Sequence, residues 1–142
     1  LDRRPPPTPQ HRASDAAGAP LRAPLERDRP STVAGGRLVA REFLAVHRDF
    51  TALLCYNDLV AIGALQACTE LGLEVPRDLA IVGFDDIALA ALVSPPLTTC
   101  GSPQFEMGVE AMQLLLDGID NGSRARQEVV VGPELVIRSS AP

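Results

Sequence analysis

Two stretches of this chain end in the same way. In TALLCYND (residues 51–58) and in LAIVGFDD (residues 79–86), an apolar run stops at a polar pair, Asn57-Asp58 and Asp85-Asp86. Apolar runs this short, with no polar alternation, fit strands covered on both faces, the kind found in parallel sheets. Between them, DLVAIGALQACTELG (58–72) is apolar on nearly every face and too long for one strand. It reads as a buried helix, stopped by Gly72 and barred from continuing by Pro76.

The alternation extends in both directions. Upstream, STVAGGRLVAREFLAVH fits a helix with an apolar stripe of Leu38, Val39, Phe43, Leu44 and Val46, although Gly35-Gly36 weakens its start. Downstream, DDIALAALV (85–93) makes one or two helical turns, ended by Ser94-Pro95-Pro96, and LTTC (97–100) is a third strand. SPQFEMGVEAMQLLLDGIDNG then opens with Ser102 as a candidate N-cap and Pro103 at the first helical position. In it Phe105, Val109, Met112, Leu116 and Ile119 recur on one face. QEVVVGPELVIRS gives two β segments about Gly132-Pro133. Short apolar strands alternating with helices imply an α/β fold on a doubly wound parallel sheet. In such sheets the ligand crevice lies beyond the carboxyl ends of the strands, where both polar pairs fall.

Residues 1–30 break the pattern. They hold seven of the thirteen prolines, with Arg and Ala and no usable period. Such a segment buries too little apolar surface to offset its ordering entropy, so it is expected to be an irregular leader. A truncated or frameshifted upstream region, with Leu1 as a fragment edge, is the other reading. The PPPTP run is a weak candidate for polyproline recognition.

Composition narrows the function. The net charge is -5, which disfavours unaided binding to nucleic acid. There is no Trp and one Tyr, too few aromatics for a stacking platform. Cys55, Cys68 and Cys100 each sit in an apolar run, as buried free thiols would, and point to a reducing, cytoplasmic compartment. No apolar run reaches transmembrane length, and none resembles a signal peptide.

The polar pairs carry the remaining chemistry. Asp58 heads a helix, where a carboxylate can cap the free N–H groups. With that role filled, the Asn57 amide is free to donate to and accept from a neutral polar ligand. One of Asp85 and Asp86 can cap the short helix that follows, leaving the other to accept from two adjacent hydroxyls. No His lies beside them to complete a transition-metal site, and His11 and His47 read as surface residues. No phosphate loop or nucleophile elbow is present. A phosphoryl-accepting receiver would need a Lys, and all thirteen basic residues are Arg. The chain reads as a non-enzyme with no cofactor and no metal.

Four segments in order, FTALLCYNDLVAIGAL, LGLEVPRDLAIVGFDDI, SPPLTTC and PELVIRSS, resemble the effector-binding domain of LacI/GalR-type transcriptional regulators. The resemblance runs from about Pro30 to Pro142 and implies one lobe of a periplasmic-binding-protein-like fold. It implies that Asn57 and Asp85 bind a small polar effector such as a sugar or nucleoside, with Asp58 mainly a cap having secondary access. Ser102 stands near where relatives often carry Gln, and reads as either a contact or a cap. Ile62, Leu65, Leu92 and Val93 are candidates for a homodimer interface, or else core. The helix over 103–121 would normally pack on a second lobe missing here, and DNA would be reached only through a helix-turn-helix also missing here. Two alternatives stand beside this reading. One is a solute-binding protein of a sugar transport system. The other is a metal-dependent phosphotransfer enzyme using Asp58, Asp85 and Asp86.

Overall fold

The computed structural model describes residues 30–47, 49–120 and 128–142. The leader, with its PPPTP run and His11, lies outside the described residues. The elements run α1 (Val33–Val46), β1 (Ala52–Leu54), α2 (Asp58–Glu70), β2 (Ala80–Asp85), a short 3-10 helix (Ala88–Ala91), β3 (Thr98–Gly101), α3 (Gln104–Asp120) and β4 (Glu134–Val136).

The four strands form one sheet in the order β1-β2-β3-β4. β1, β2 and β3 are parallel, as the alternation implies, and β4 pairs antiparallel with β3 at one edge. Only one of the two β segments expected about Gly132-Pro133 forms, because residues 128–133 take no regular structure. The C-terminal segment is tied back under the sheet. The buried Ser140 hydroxyl donates to the Ile81 carbonyl at 2.6 Å and accepts the Thr98 N–H at 2.8 Å.

α2 crosses over from β1 to β2, and α1 packs against it. Gly36 and Gly63 explain how closely. A Cβ at Gly36 would stand 2.7 Å from the Val60 Cα, and one at Gly63 would collide with the α1 backbone at Val33 and Arg37. The two helices therefore touch backbone to backbone, which offsets the roughly 1 kcal/mol of helix propensity that each glycine forfeits. This also corrects the expected stripe on α1. Its buried face is Gly35, Gly36, Ala40 and Leu44, while Val46 is exposed. Thr32 caps its start by accepting the Gly35 N–H at 3.1 Å.

Gly72 stops α2 as expected. It takes φ +68°, and the N–H groups of Gly72 and Leu73 bond to the carbonyls of Thr69 and Cys68 in a Schellman arrangement. The core lies between α2 and the sheet, with Ala61, Leu65, Cys68, Ile81 and Leu97 almost inaccessible. One expectation of burial fails. β1 is an edge strand whose Ala52 and Leu54 are exposed. On α3, no residue is buried, and Phe105, Met112, Leu116 and Ile119 are all at least half exposed. The periodicity of α3 is real, yet nothing among the described residues covers its apolar face.

Candidate functional site

The parallel register brings Asn57 and Asp85 to the same end of the sheet. Leu54 pairs with Val82, and the two polar residues each stand three positions beyond that pair, at the carboxyl ends of adjacent strands. Asp85 in turn pairs with Gly101, so Ser102 follows at the same end of the sheet.

Within the first polar pair the cap is Asn57 and not Asp58, contrary to expectation. Asn57 is the N-cap of α2, its Oδ1 accepting the Val60 N–H at 3.0 Å. Its Nδ2 has no protein partner among the described residues. Asp58 is fully buried and caps nothing. Its Oδ1 accepts the Thr99 hydroxyl at 2.5 Å and its Oδ2 accepts the Ile87 N–H at 2.9 Å. The reason is positional. An N-cap residue has extended backbone while the next residue already turns helically, and the extended residue is Asn57, at φ -152° and ψ 175°. The Asp58 side chain instead points across β2, where Gly83 leaves room. A Cβ at Gly83 would collide with Asp58 Oδ1.

The second pair divides differently as well. Neither Asp85 nor Asp86 caps the 3-10 helix, whose cap position is Ile87 with no side-chain bond. Asp86 accepts from Arg138 Nη2 at 2.8 Å. The Asp85 carboxylate has no protein partner among the described residues. Both residues have positive φ, +106° at Asp85 and +52° at Asp86, a region L-residues rarely adopt and one that recurs at binding sites. Ser102 is not a cap either. Helix α3 begins at Gln104, and the Ser102 hydroxyl lies 3.8 Å from the Met107 sulfur.

Sequence reasoning missed Thr99, Gly83 and Arg138. A lone Arg directly after the apolar run LVI (135–137) was the available signal for the last, since an Arg drawn into the fold there needs an acidic or carbonyl partner. The expected dimer residues separate. Ile62 and Leu65 are buried in the core, Val93 is half-buried against it, and Leu92 is 78% exposed. They do not form one exposed patch.

Burial suppresses two of the three thiols. Burial, with smaller contributions from Cys68 and Asp58, pushes the Cys55 thiol up to about 12, and burial pushes Cys68 up to about 11. Cys100 is half-buried rather than buried, and all three are free. Among the described residues no group of three or more His, Cys, Asp or Glu could hold a metal ion, and no helix is long and apolar enough to cross a membrane. His47 is exposed, with its ring 4.7 Å from that of Phe43.

Residues 9–141 match the model of the periplasmic binding protein-like domain. The chain belongs to that family. This periplasmic binding protein-like domain is 39% identical over 130 residues to the HTH-type transcriptional regulator reg1 of Streptomyces lividans, a match covering 89% of this chain and 37% of the relative. A LacI family transcriptional regulator from Arthrobacter sp. FB24, in complex with lactose, superposes with a TM-score of 0.82 at 29% identity, covering 99% of this chain and 53% of that one. A CelR–cellobiose complex superposes at 0.83 with 31% identity, covering 92% and 40%. The domain thus corresponds to the effector-binding part of LacI-type regulators, and it spans about a third of the length of the curated relatives it matches. Those relatives are transcriptional regulators, not enzymes.

Proposed function

We propose that this chain is the ligand-sensing part of a cytoplasmic LacI-type repressor that binds a small polar effector, of sugar or nucleoside type. The observation that carries the reading is the register. It brings Asn57, three positions beyond Leu54, and Asp85, three beyond its partner Val82, to the same end of the sheet, and the Asp85 carboxylate has no protein partner among the described residues. A carboxylate accepts from two neighbouring hydroxyls, and an amide both donates and accepts, a pairing suited to a polyol face. Ser102, at the same end of the sheet, is a third contact. Asp58 supports the site from below rather than touching ligand.

Effector binding in the intact regulator would shift the balance between two lobe arrangements and so the geometry of a DNA-binding homodimer. DNA contact belongs to a helix-turn-helix beyond these residues, and Leu92 is the exposed dimer candidate that remains. A transport-type solute-binding protein would use the same crevice, but the matched relatives are regulators. The phosphotransfer alternative needs an accessible Asp58, and that carboxylate is fully buried.

A site open on one side leaves its hydrogen bonds in competition with water, so the isolated chain should bind weakly. NMR titration with cellobiose, lactose, ribose and a nucleoside tests the site. Shifts of the Asn57, Asp85 and Ser102 amides at millimolar ligand support it. A panel that moves none of them overturns it. Calorimetry should show no micromolar affinity; finding one would refute the one-sided site.

A further inference from the structure

The Asp85–Asp86 turn is held from two directions by groups on other elements. On one side, the buried Asp58 carboxylate accepts the Ile87 N–H at 2.9 Å. On the other, Arg138, which follows β4, forks its guanidinium between Asp86 Oδ1 at 2.8 Å and the Leu97 carbonyl at 2.9 Å. The Arg138 backbone is itself fixed, because the Thr98 hydroxyl accepts its N–H at 2.8 Å and lies 2.9 Å from its carbonyl oxygen. The ion pair is largely sheltered, with side-chain exposures of 20% and 32%.

We propose that Arg138 is a positioning residue for the effector site, holding Asp86 in its left-handed conformation so that the Asp85 carboxylate stays free for ligand hydroxyls. The inference rests on the reading of Asp85 as an effector contact. Two adjacent residues at positive φ persist only where the surroundings over-determine them. Asp86 has no glycine freedom, and its clamp is a planar fork that can bond a carboxylate and a carbonyl together. The same cation offsets the repulsion between neighbouring carboxylates. Without it, Asp86 can relax toward negative φ, and the preceding carboxylate loses its aim. A lysine keeps the charge but lacks the fork, so it should restore the arrangement only in part.

The 142-residue chain can be tested by NMR. Three-bond HN–Hα couplings and residual dipolar couplings at Asp85 and Asp86 report the turn, and cellobiose titration reports the site. Arg138→Met should remove the left-handed geometry at Asp86 while leaving the amide pattern of β1 and β2 intact, and should weaken the cellobiose response about tenfold. Arg138→Lys should recover part of both. Asp86→Ala removes the acceptor from its other end and serves if Arg138→Met does not fold. An unchanged turn in Arg138→Met, or in Asp86→Ala, overturns the positioning role, as does wild-type binding by either variant. If the wild type shows no cellobiose response, the effector reading fails for this sugar, and the couplings still decide what Arg138 does.

Discussion

Asp58 accepts the Thr99 hydroxyl across a strand to which neither residue belongs. Asp58 heads α2, Thr99 lies in β3, and between them runs β2, where Gly83 is both the register partner of Thr99 and the one residue too small to block the bond. Three segments distant in sequence therefore meet at one carboxylate. The same carboxylate also accepts the Ile87 N–H, just past the Asp85–Asp86 turn, so a fully buried group supports the turn that carries the candidate site.

Thr99→Val should cost about 1–3 kcal/mol, because it keeps the shape but removes a donor from a fully buried carboxylate. Gly83→Ala should cost at least as much, since its Cβ must displace Asp58. Urea unfolding measures both. A double variant less destabilised than the sum of the two would show that they act on one interaction.

Asn57 caps α2 and is the proposed effector contact, and substitution can separate the two. Asn57→Ala removes the cap and should cost about 1 kcal/mol. Asn57→Asp keeps a capping oxygen at the positive end of α2 and should leave the urea midpoint nearly unchanged. It removes the amide donor, however, so the response of the Asp85 amide to sugar should fall.

The thiols give a pH signature. The folded-state pKa values of Cys55 and Cys68 lie above the ordinary value of 9.0, at about 12 and about 11. Folding therefore favours the neutral thiols. That contribution is complete below pH 9 and is lost as pH rises from 9 through the folded values, because the unfolded chain ionises first. Stability should fall across that window, and less steeply in Cys55→Ala compared at equal reference stability. With a thiol-specific reagent at neutral pH, Cys100 should react quickly and the two buried cysteines only on unfolding.

Much of this fold was legible because its signals are local. Apolar runs closed by Asn57-Asp58 and Asp85-Asp86 gave the strands, and Gly72 gave the end of α2. What stayed hidden depends on partners far along the chain. Whether Asn57 or Asp58 caps α2 turns on a single residue of backbone geometry, and the fate of Asp58 turns on Thr99 and Gly83. Gly35-Gly36 looked like a weakness in α1 because the helix it touches lies beyond any local window. Asp86 lost its capping role to Arg138, 52 positions away. The apolar period of α3 was read correctly as a pattern, but a period shows a face and not what covers it.

That uncovered face should govern how the isolated chain behaves. Met112→Gln with Leu116→Gln replaces exposed apolar side chains by residues of nearly equal helix propensity. The unfolding free energy should stay within about 0.5 kcal/mol. Light scattering over a concentration series should show the parent chain self-associating more than the variant. Strong destabilisation instead would mean that α3 is packed in solution.

Ile62 and Leu92 separate core from surface. On sequence alone both were candidates for one dimer patch. In the fold, Ile62 is 7% exposed within the core and Leu92 is 78% exposed after the 3-10 helix. Ile62→Glu places an unpaired carboxylate in that core, a substitution that should unfold the chain rather than yield a soluble monomer. Leu92→Glu should leave circular dichroism and the urea midpoint nearly unchanged. If Leu92 belongs to a homodimer contact, the same variant should lower the apparent mass in sedimentation equilibrium at concentrations where the parent is dimeric. A folded, monomeric Ile62→Glu would show that α2 presents that face to a partner chain and not to the core.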